Sequence, residues 1–349
     1  MSPTLGPYDL PGAYTGDAVD MMREIPDGSI HCCITSPPYW GLRSYLEPDD
    51  PDKAREIGAE ATPDQYVANM VRVFREVRRV LRDDGTCWLN LGDSYATQGV
   101  AGPQRDASGG LGGGRDLGTR GEQGSRVSSS GVSRTVPHGL KPKDLCLIPY
   151  RVALALQADG WWLRSNIIWA KGLSFCEHYS GSVMPESVRD RPTSAHEAVF
   201  LLTKSARYWY DADAVSEPAT HAGKVVTLGE KSLSRGQQTG AGHAGHWGNG
   251  TADSVTVKAT RNKRNVWTIA TQPYSGSHYA VMPPALVVPC VKAGCPAGGL
   301  VLDPFGGSGT VGEVAESLGR RWLLFDLDAR NEALMHKRTA QRSLLGCIR

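Results

Sequence analysis

No stretch of these 349 residues stays apolar long enough to cross a bilayer, because polar and charged residues interrupt each hydrophobic run. The opening residues, Met1-Ser2-Pro3-Thr4-Leu5-Gly6-Pro7, lack the basic-then-apolar pattern of a secretory leader, and a cytoplasmic protein is expected. Strong charge of either sign is missing too: the net is +2, which alone points to no polyanionic partner. Cys32, Cys33 and Cys87 sit inside apolar runs as small hydrophobes, and Cys290 and Cys295 have no second Cys/His pair with which to build a metal site. No metal is expected. Two catalytic signatures are incomplete. Phe200 stands where a metalloprotease reading of His196-Glu197 requires its second histidine, and no lysine follows Gly309 to complete a Walker-type phosphate loop. What remains is 40% apolar content, ordinary for a globular fold of one large or two modest domains.

The most informative segment present is Ile34-Thr35-Ser36-Pro37-Pro38-Tyr39-Trp40, which follows the apolar run Ile30-His31-Cys32-Cys33. The run predicts a buried strand. Two consecutive prolines cannot continue a sheet, so the backbone must leave it as a stiff, extended elbow. The elbow keeps its carbonyls and fixes a hydroxyl on one side and an aromatic ring on the other. Such a site suits a flat molecule with an exocyclic amino group. Ser36 and the Pro37 carbonyl can accept the amino hydrogens while Tyr39 stacks on the ring.

A second segment lies far along the chain, Gly299-Leu300-Val301-Leu302-Asp303-Pro304-Phe305-Gly306-Gly307-Ser308-Gly309-Thr310. A strand runs into an acid and a glycine-rich turn; Val311 to Leu318 reads as a helix closed by Gly319, and the strand Arg321–Phe325 ends on Asp326. This βαβ pattern describes a nucleoside-binding half-sheet, with Asp326 placed to hold ribose hydroxyls. Gly307-Ser308-Gly309-Thr310-Val311-Gly312 also satisfies the dinucleotide fingerprint, which leaves a nicotinamide-dependent dehydrogenase open. Asp303-Pro304-Phe305 is unusual for that class, and it gives Ser36 to Tyr39 no role.

Together the two segments resemble the DNA amino-methyltransferases, which methylate exocyclic nitrogens of cytosine or adenine. Ser36-Pro37-Pro38-Tyr39 matches the family's catalytic loop, and Asp303-Pro304-Phe305 with Gly307-Ser308-Gly309-Thr310 matches its cofactor loop. The order, catalytic loop first, is similar to the circularly permuted β group. The resemblance implies S-adenosyl-L-methionine as methyl donor and double-stranded DNA as substrate. It assigns Ser36, Pro37, Pro38 and Tyr39 to catalysis and Asp17, Thr35, His278, Asp303, Phe305, Gly307, Ser308, Gly309, Thr310 and Asp326 to the cofactor. Ser36 at the first loop position leans towards N4 of cytosine, with N6 of adenine as the alternative. A non-catalytic DNA-binding descendant is disfavoured by the intact motifs. The Ser36-to-Tyr39 loop carries no Pro-Cys nucleophile of the C5-methylating kind, so direct in-line transfer to a flipped base is expected. A separately acting restriction endonuclease is a candidate partner, and the protein itself is expected as a monomer or homodimer.

Strands and helices alternate along the rest, predicting an α/β fold with a doubly wound, mostly parallel sheet of Rossmann-like methyltransferase type. Thr62 caps a helix with Pro63 in its first turn, and Tyr66, Val67, Met70, Val71, Phe74, Val77 and Leu81 form its stripe, with Gly85 ending it. A strand over Thr86–Leu89, a helix over Leu145–Ala158 and strands at Trp162–Trp169 and Val199–Leu202 follow. The permutation requires the strands at Ile30–Ile34 and Leu300–Leu302 to be neighbours where the strand order reverses. Five stretches result: a catalytic half over 1–98, a Gly/Ser/Arg-rich loop over 99–139, the rest of the catalytic half over 140–215, a target-recognition region over 216–265, and a cofactor half over 266–349. The loop has too few large apolar residues to order itself without a partner. From His221 to Arg264 there are seven lysines and arginines against two acids. Arg261, Lys263 and Arg264 are therefore candidates for DNA phosphate contact.

Overall fold

The computed structural model describes residues 3–42, 44–96, 136, 139–172, 188–227, 254–271 and 282–346. The expected loop over 99–139 falls almost wholly outside them, as do His278 and residues 228–253 of the basic stretch.

Eight strands form the main sheet: β1 (Gly12–Thr15), β2 (Ile30–Thr35), β3 (Leu81–Leu91), β4 (Trp162–Ala170), β5 (His196–Thr203), β6 (Val266–Thr268), β7 (Leu300–Asp303) and β8 (Arg321–Asp326). Their spatial order is β6-β4-β5-β3-β2-β7-β8-β1. Every neighbouring pair is parallel except those of β5, which runs antiparallel to both β3 and β4. The expected junction is present, with Val301 beside Cys32 and Leu302 beside Cys33. Strand order reverses there, so the carboxyl ends of β2 and β7 open at one crevice.

Side-chain alternation divides the interior into two cores. Cys33, Leu302 and Phe325 face α1 (Ala18–Arg23), α2 (Pro63–Val80) and α3 (Ile148–Ala158). Cys32, Val301 and Leu324 face α4 (Pro284–Gly294), α5 (Thr310–Ser317) and α6 (Ala329–Gly346). Parallel strands covered on both faces read as continuous apolar runs for this reason. Each fully buried large aliphatic or aromatic side chain contributes about 1.5–3 kcal/mol before entropy is subtracted.

Local differences from the expected elements have physical causes. Thr62 caps α2, its Oγ1 accepting from the Gln65 amide at 3.2 Å, but the helix stops at Val80. Leu81 is already extended and pairs with Ile30. Gly85 is therefore no helix terminator; it belongs to the Arg82–Gly85 bulge, where the register jumps from Ile30–Leu81 to Cys32–Thr86. α3 starts at Ile148 instead of Leu145, with Pro149 in its first turn and Leu147 held at φ 55°. β5, read only as a buried strand, begins earlier at His196.

Gly294 seats α4 on the sheet: a Cβ there would lie 2.4 Å from both Thr86 Oγ1 and Trp88 Nε1. The Thr86 hydroxyl donates to the Gly294 carbonyl at 3.0 Å inside this buried contact. Gly294→Ala should lower unfolding stability by about 1–3 kcal/mol through overpacking. A urea midpoint equal to that of the unaltered protein would remove this close approach from the packing argument.

Candidate active site

β2 delivers the proline elbow to the crevice. Thr35, its last residue, is fully buried, and Ser36 is half-buried immediately beyond it. Helix α2 holds the elbow from below, with the Tyr66 hydroxyl donating to the Pro38 carbonyl at 2.9 Å. The Trp40 indole fixes the far side by donating to the Glu60 carbonyl, also at 2.9 Å. Glycine at position 92 makes room for the ring, since a Cβ there would sit 2.5 Å from Tyr39 Cε2.

Two residues that sequence reasoning missed complete this side. Asn90, near the carboxyl end of β3, places Oδ1 3.2 Å from Ser36 Oγ and 3.0 Å from the Tyr39 hydroxyl oxygen. Its Nδ2 donates to the Ala198 carbonyl and to Glu197 Oε2, each at 3.2 Å. The Tyr39 hydroxyl donates to Glu197 Oε2 at 2.7 Å, and Lys171 pairs with the other oxygen of that carboxylate. Burial, followed by the Glu197 charge, pushes the Tyr39 phenol well above its ordinary value, so Tyr39 keeps its proton at neutral pH. The available signal for Asn90 was a polar residue inside the apolar run Leu89-Asn90-Leu91. Glu197 stood out in the sequence only as part of an incomplete metalloprotease pattern.

The cofactor side meets the elbow directly. Thr35 Oγ1 donates to Asp303 Oδ1 at 2.6 Å across the β2–β7 junction, and the Phe305 amide donates to the same oxygen at 3.0 Å. Burial raises Asp303 to about 7 despite these two donors, and nearby Asp326 adds to the rise. Asp326 itself accepts from the Gly307 amide at 2.8 Å and from Asp328 N and Asn331 Nδ2 at 2.9 Å each. That carboxylate is thus largely engaged in fixing the glycine turn. Gly309 has φ +82°, and a Cβ there would lie 2.9 Å from Met335 Cα, so the turn tolerates no side chain at that point. Ser308 and Thr310 point inward: Arg338 Nη1 donates to Ser308 Oγ at 2.7 Å, and Thr310 is buried at the start of α5. Phe305 and Gly307 are the half-buried members of the turn.

The donor set fits a cationic, hydroxyl-bearing cofactor. Asp326 raises the cost of ionising Asp303, and among the described residues no basic side chain offsets that burial. A bound cation would. Asp17, at the tip beyond β1, caps α1 by accepting from Val19 N at 2.9 Å and Asp20 N at 3.1 Å. His278 lies outside the described residues.

The basic candidates are placed away from the crevice, beside the sheet edge at β6. Glu217–Pro218 pairs with Thr260–Arg261 in a small ribbon. Arg264 Nε sits 2.9 Å from the Glu217 carboxylate, while Arg261 and Lys263 each approach it at 3.8 Å. Lys263 also lies 5.2 Å over the Trp267 ring. Three cations share one carboxylate, so the cluster stays positive. Among the described residues no cluster of three metal-ligating side chains occurs, and no helix is long and apolar enough to cross a membrane.

The raised Asp303 carboxyl sets a pH dependence. The native state keeps its proton up to about pH 7, whereas the unfolded chain releases it near the ordinary value of 3.8. More protons are then bound in the native state, so stability falls as pH rises from about 4 through about 7. Asp303→Asn keeps the Oδ1 acceptor and removes the ionisation. In urea unfolding without cofactor, the variant should gain on the unaltered protein by up to a few kcal/mol between pH 5 and pH 8, at about 1.4 kcal/mol per pH unit of separation. Parallel pH profiles would show that Asp303 ionises freely.

Comparison with known proteins agrees with this geometry. A family model described as DNA methylase, N6_N4_Mtase, matches residues 30–336. The chain is 38% identical over 318 residues to the type II methyltransferase M.XycI of Xanthomonas campestris pv. cyanopsidis, covering 90% of this chain and 83% of that protein. It is likewise 38% identical over 327 residues to M.SmaI of Serratia marcescens, covering 94% and 90%. Among solved structures, the cytosine-N4-specific PvuII DNA methyltransferase superposes with a TM-score of 0.55 at 17% identity, over 97% of this chain and 87% of that one. A putative DNA modification methylase from Thermus thermophilus, complexed with S-adenosyl-L-methionine, superposes with a TM-score of 0.52 at 18% identity, over 95% and 93%. These two likenesses concern the fold, a Rossmann-like methyltransferase sheet. The family uses S-adenosyl-L-methionine. The nicotinamide alternative therefore falls away, and on the strength of the family match and these relatives the chain belongs to the N6/N4 DNA methylases.

Proposed function

We propose that this DNA methyltransferase transfers the methyl group of S-adenosyl-L-methionine to N4 of cytosine in double-stranded DNA. The observation that carries the reading is the Thr35–Asp303 hydrogen bond of 2.6 Å, which joins the Ser36 elbow to the acid of the glycine turn. When bound, the cofactor supplies an electrophilic methyl and a positive charge. Asp303 would face that charge, the Phe305-to-Thr310 turn would hold the cofactor chiefly through its backbone, and Asp326, Thr35, Asp17 and His278 belong to the same site in this reading.

An exocyclic amino nitrogen is a poor nucleophile because its lone pair is conjugated with the ring. Hydrogen bonds from its two hydrogens to Ser36 Oγ and the Pro37 carbonyl would favour a more tetrahedral nitrogen and aim its lone pair. Catalysis then rests on positioning and electrostatics. A duplex buries that nitrogen, so the base must be extruded, with Tyr39 replacing its stacking partners. The Ser36 hydroxyl is too weak an acid to serve as general base, and the proton leaves from the methylated nitrogen to water. Either amino base could satisfy Ser36 chemically; the resemblance of Ser36-Pro37-Pro38-Tyr39-Trp40 to the family's cytosine type favours cytosine over adenine. The positive cluster of Arg261, Lys263 and Arg264 would contact phosphates. A separately acting restriction endonuclease is a partner consistent with this reading.

Two measurements check it. Mass spectrometry of nucleosides from DNA treated with enzyme and labelled cofactor should reveal N4-methylcytosine, and Ser36→Ala should lower the transfer rate by about a hundredfold or more while calorimetry still detects cofactor binding. N6-methyladenine as the product would reassign the base; unchanged transfer by Ser36→Ala would take the elbow out of the chemistry. Replacing Arg261, Lys263 and Arg264 together with Ala should weaken DNA binding and flatten its salt dependence, by up to about 0.9 in slope for each phosphate no longer neutralised. An identical slope would place the DNA-binding cations elsewhere.

A further inference from the structure

The Glu197–Lys171 pair has no role in the reading above, yet it abuts the elbow. Its surroundings determine where the protons can go. Asn90 Nδ2 faces the Ala198 carbonyl and the Glu197 carboxylate, both of which can only accept, so the amide orientation is fixed. Asn90 Oδ1 therefore faces Ser36 and Tyr39 as an acceptor. That oxygen has two lone pairs and can accept from both, but the Tyr39 hydroxyl also lies 3.3 Å from Ser36 Oγ, so Asn90 Oδ1, Ser36 Oγ and Glu197 Oε2 all compete for the Tyr39 proton. Glu197 resolves the competition: its Oε2, 2.7 Å from the Tyr39 oxygen, is the nearer and charged acceptor, while Asn90 Oδ1 lies at 3.0 Å. With the Tyr39 proton drawn to Glu197, Asn90 Oδ1 at 3.2 Å and the Tyr39 oxygen at 3.3 Å are both left to receive the Ser36 proton. The Ser36 lone pairs then point out of the protein framework.

We infer that Glu197, held by Lys171, is a positioning residue that turns the Ser36 hydroxyl into an obligate acceptor for the amino hydrogen of the target base. The inference rests on the reading of Ser36 as that acceptor. Without the carboxylate, the Tyr39 proton can turn to Ser36 Oγ, 3.3 Å away, and occupy a lone pair that would otherwise face the amino hydrogen. The reversed direction of β5 makes the arrangement possible, because its amino end lies beside the carboxyl ends of β3 and β4. Lys171, just past β4, supplies the counter-charge to Glu197, only 12% of whose side chain is exposed.

The test uses Glu197→Gln, which keeps the shape but offers an amide in place of the carboxylate. Glu197→Gln with Lys171→Met is a second variant that leaves no unpaired charge. Both should lower the single-turnover transfer rate about ten- to a hundredfold, with DNA affinity, cofactor affinity and fluorescence from an extruded 2-aminopurine target unchanged. In a Tyr39→Phe background, where no tyrosine proton competes, the cost of Glu197→Gln to the transfer rate should shrink to a few-fold with urea midpoints additive; a purely structural role would couple the two changes in stability as well. Transfer at the full rate by both variants overturns the inference, as does an equal cost in the two backgrounds. Ser36→Ala separates the two failures. If it abolishes transfer while Glu197→Gln does not, only the positioning role is lost; if Ser36→Ala is fully active, the underlying reading fails as well.

Discussion

One hydrogen bond, from Thr35 Oγ1 to Asp303 Oδ1, ties together residues that are 268 positions apart in the chain. It exists because β2 and β7 are parallel neighbours at the reversal of strand order, with Leu302 beside Cys33 just before Asp303 and Thr35. Everything proposed for the site builds outward from it. On one flank the chain turns through two prolines to Ser36 and Tyr39; on the other it turns through glycines into α5. Neither turn could supply both halves of a transfer reaction alone. The two cores, one on each face of the sheet, pack the strands that meet at this junction from both sides.

The single reversed strand has an equally definite consequence. In a wholly parallel sheet the crevice receives only residues that follow strands. β5 brings residues that begin one, so Glu197 stands beside Trp169 of β4, one residue ahead of Ala198, which faces Leu91 of β3. The helices contribute differently. Tyr66 on α2 reaches the Pro38 carbonyl, and Gly294 at the end of α4 sits against Thr86 and Trp88, so the layers below and above the sheet both constrain the strands that carry the site.

The parts legible in the sequence were those dictated by backbone chemistry. Paired prolines must end a strand, a glycine-rich turn after an acid permits close backbone approach, and an alternation of apolar strands and helices forces a covered sheet. The β2–β7 junction follows from these together with the order of the two motifs. Positions that depend on tertiary partners did not follow. Leu81 fits the α2 stripe equally well, but pairing with Ile30 claims it for β3, and Gly85 looks like a helix stop only if that pairing is unknown. The direction of β5 has no sequence signature, so Glu197 could not be brought to Asn90 by pattern alone. Ser308 resembled a ligand-binding hydroxyl, yet Arg338 from α6 occupies it. The three basic residues near position 261 stood out by local charge alone, and their shared partner Glu217, over forty positions earlier, did not.

Asp303 argues for a charged ligand more strongly than its motif does. As a purely structural residue it would be a poor choice: its Oδ1 accepts from Thr35 and Phe305, and an asparagine oxygen could accept both bonds without the cost of burying an ionisable group. The protein instead keeps a carboxyl whose burial raises it to about 7, next to a second acid that raises it further. Such destabilisation is expected where a group is organised for a task outside the fold. A cation entering beside Asp303 would reverse the sign of the local energy, favouring the ionised form that burial alone penalises. The same carboxyl that weakens the free protein near neutral pH would then strengthen the complex, and binding would be coupled to release of its proton. In this chain the cost is borne at the strand junction, between the two flanking cores.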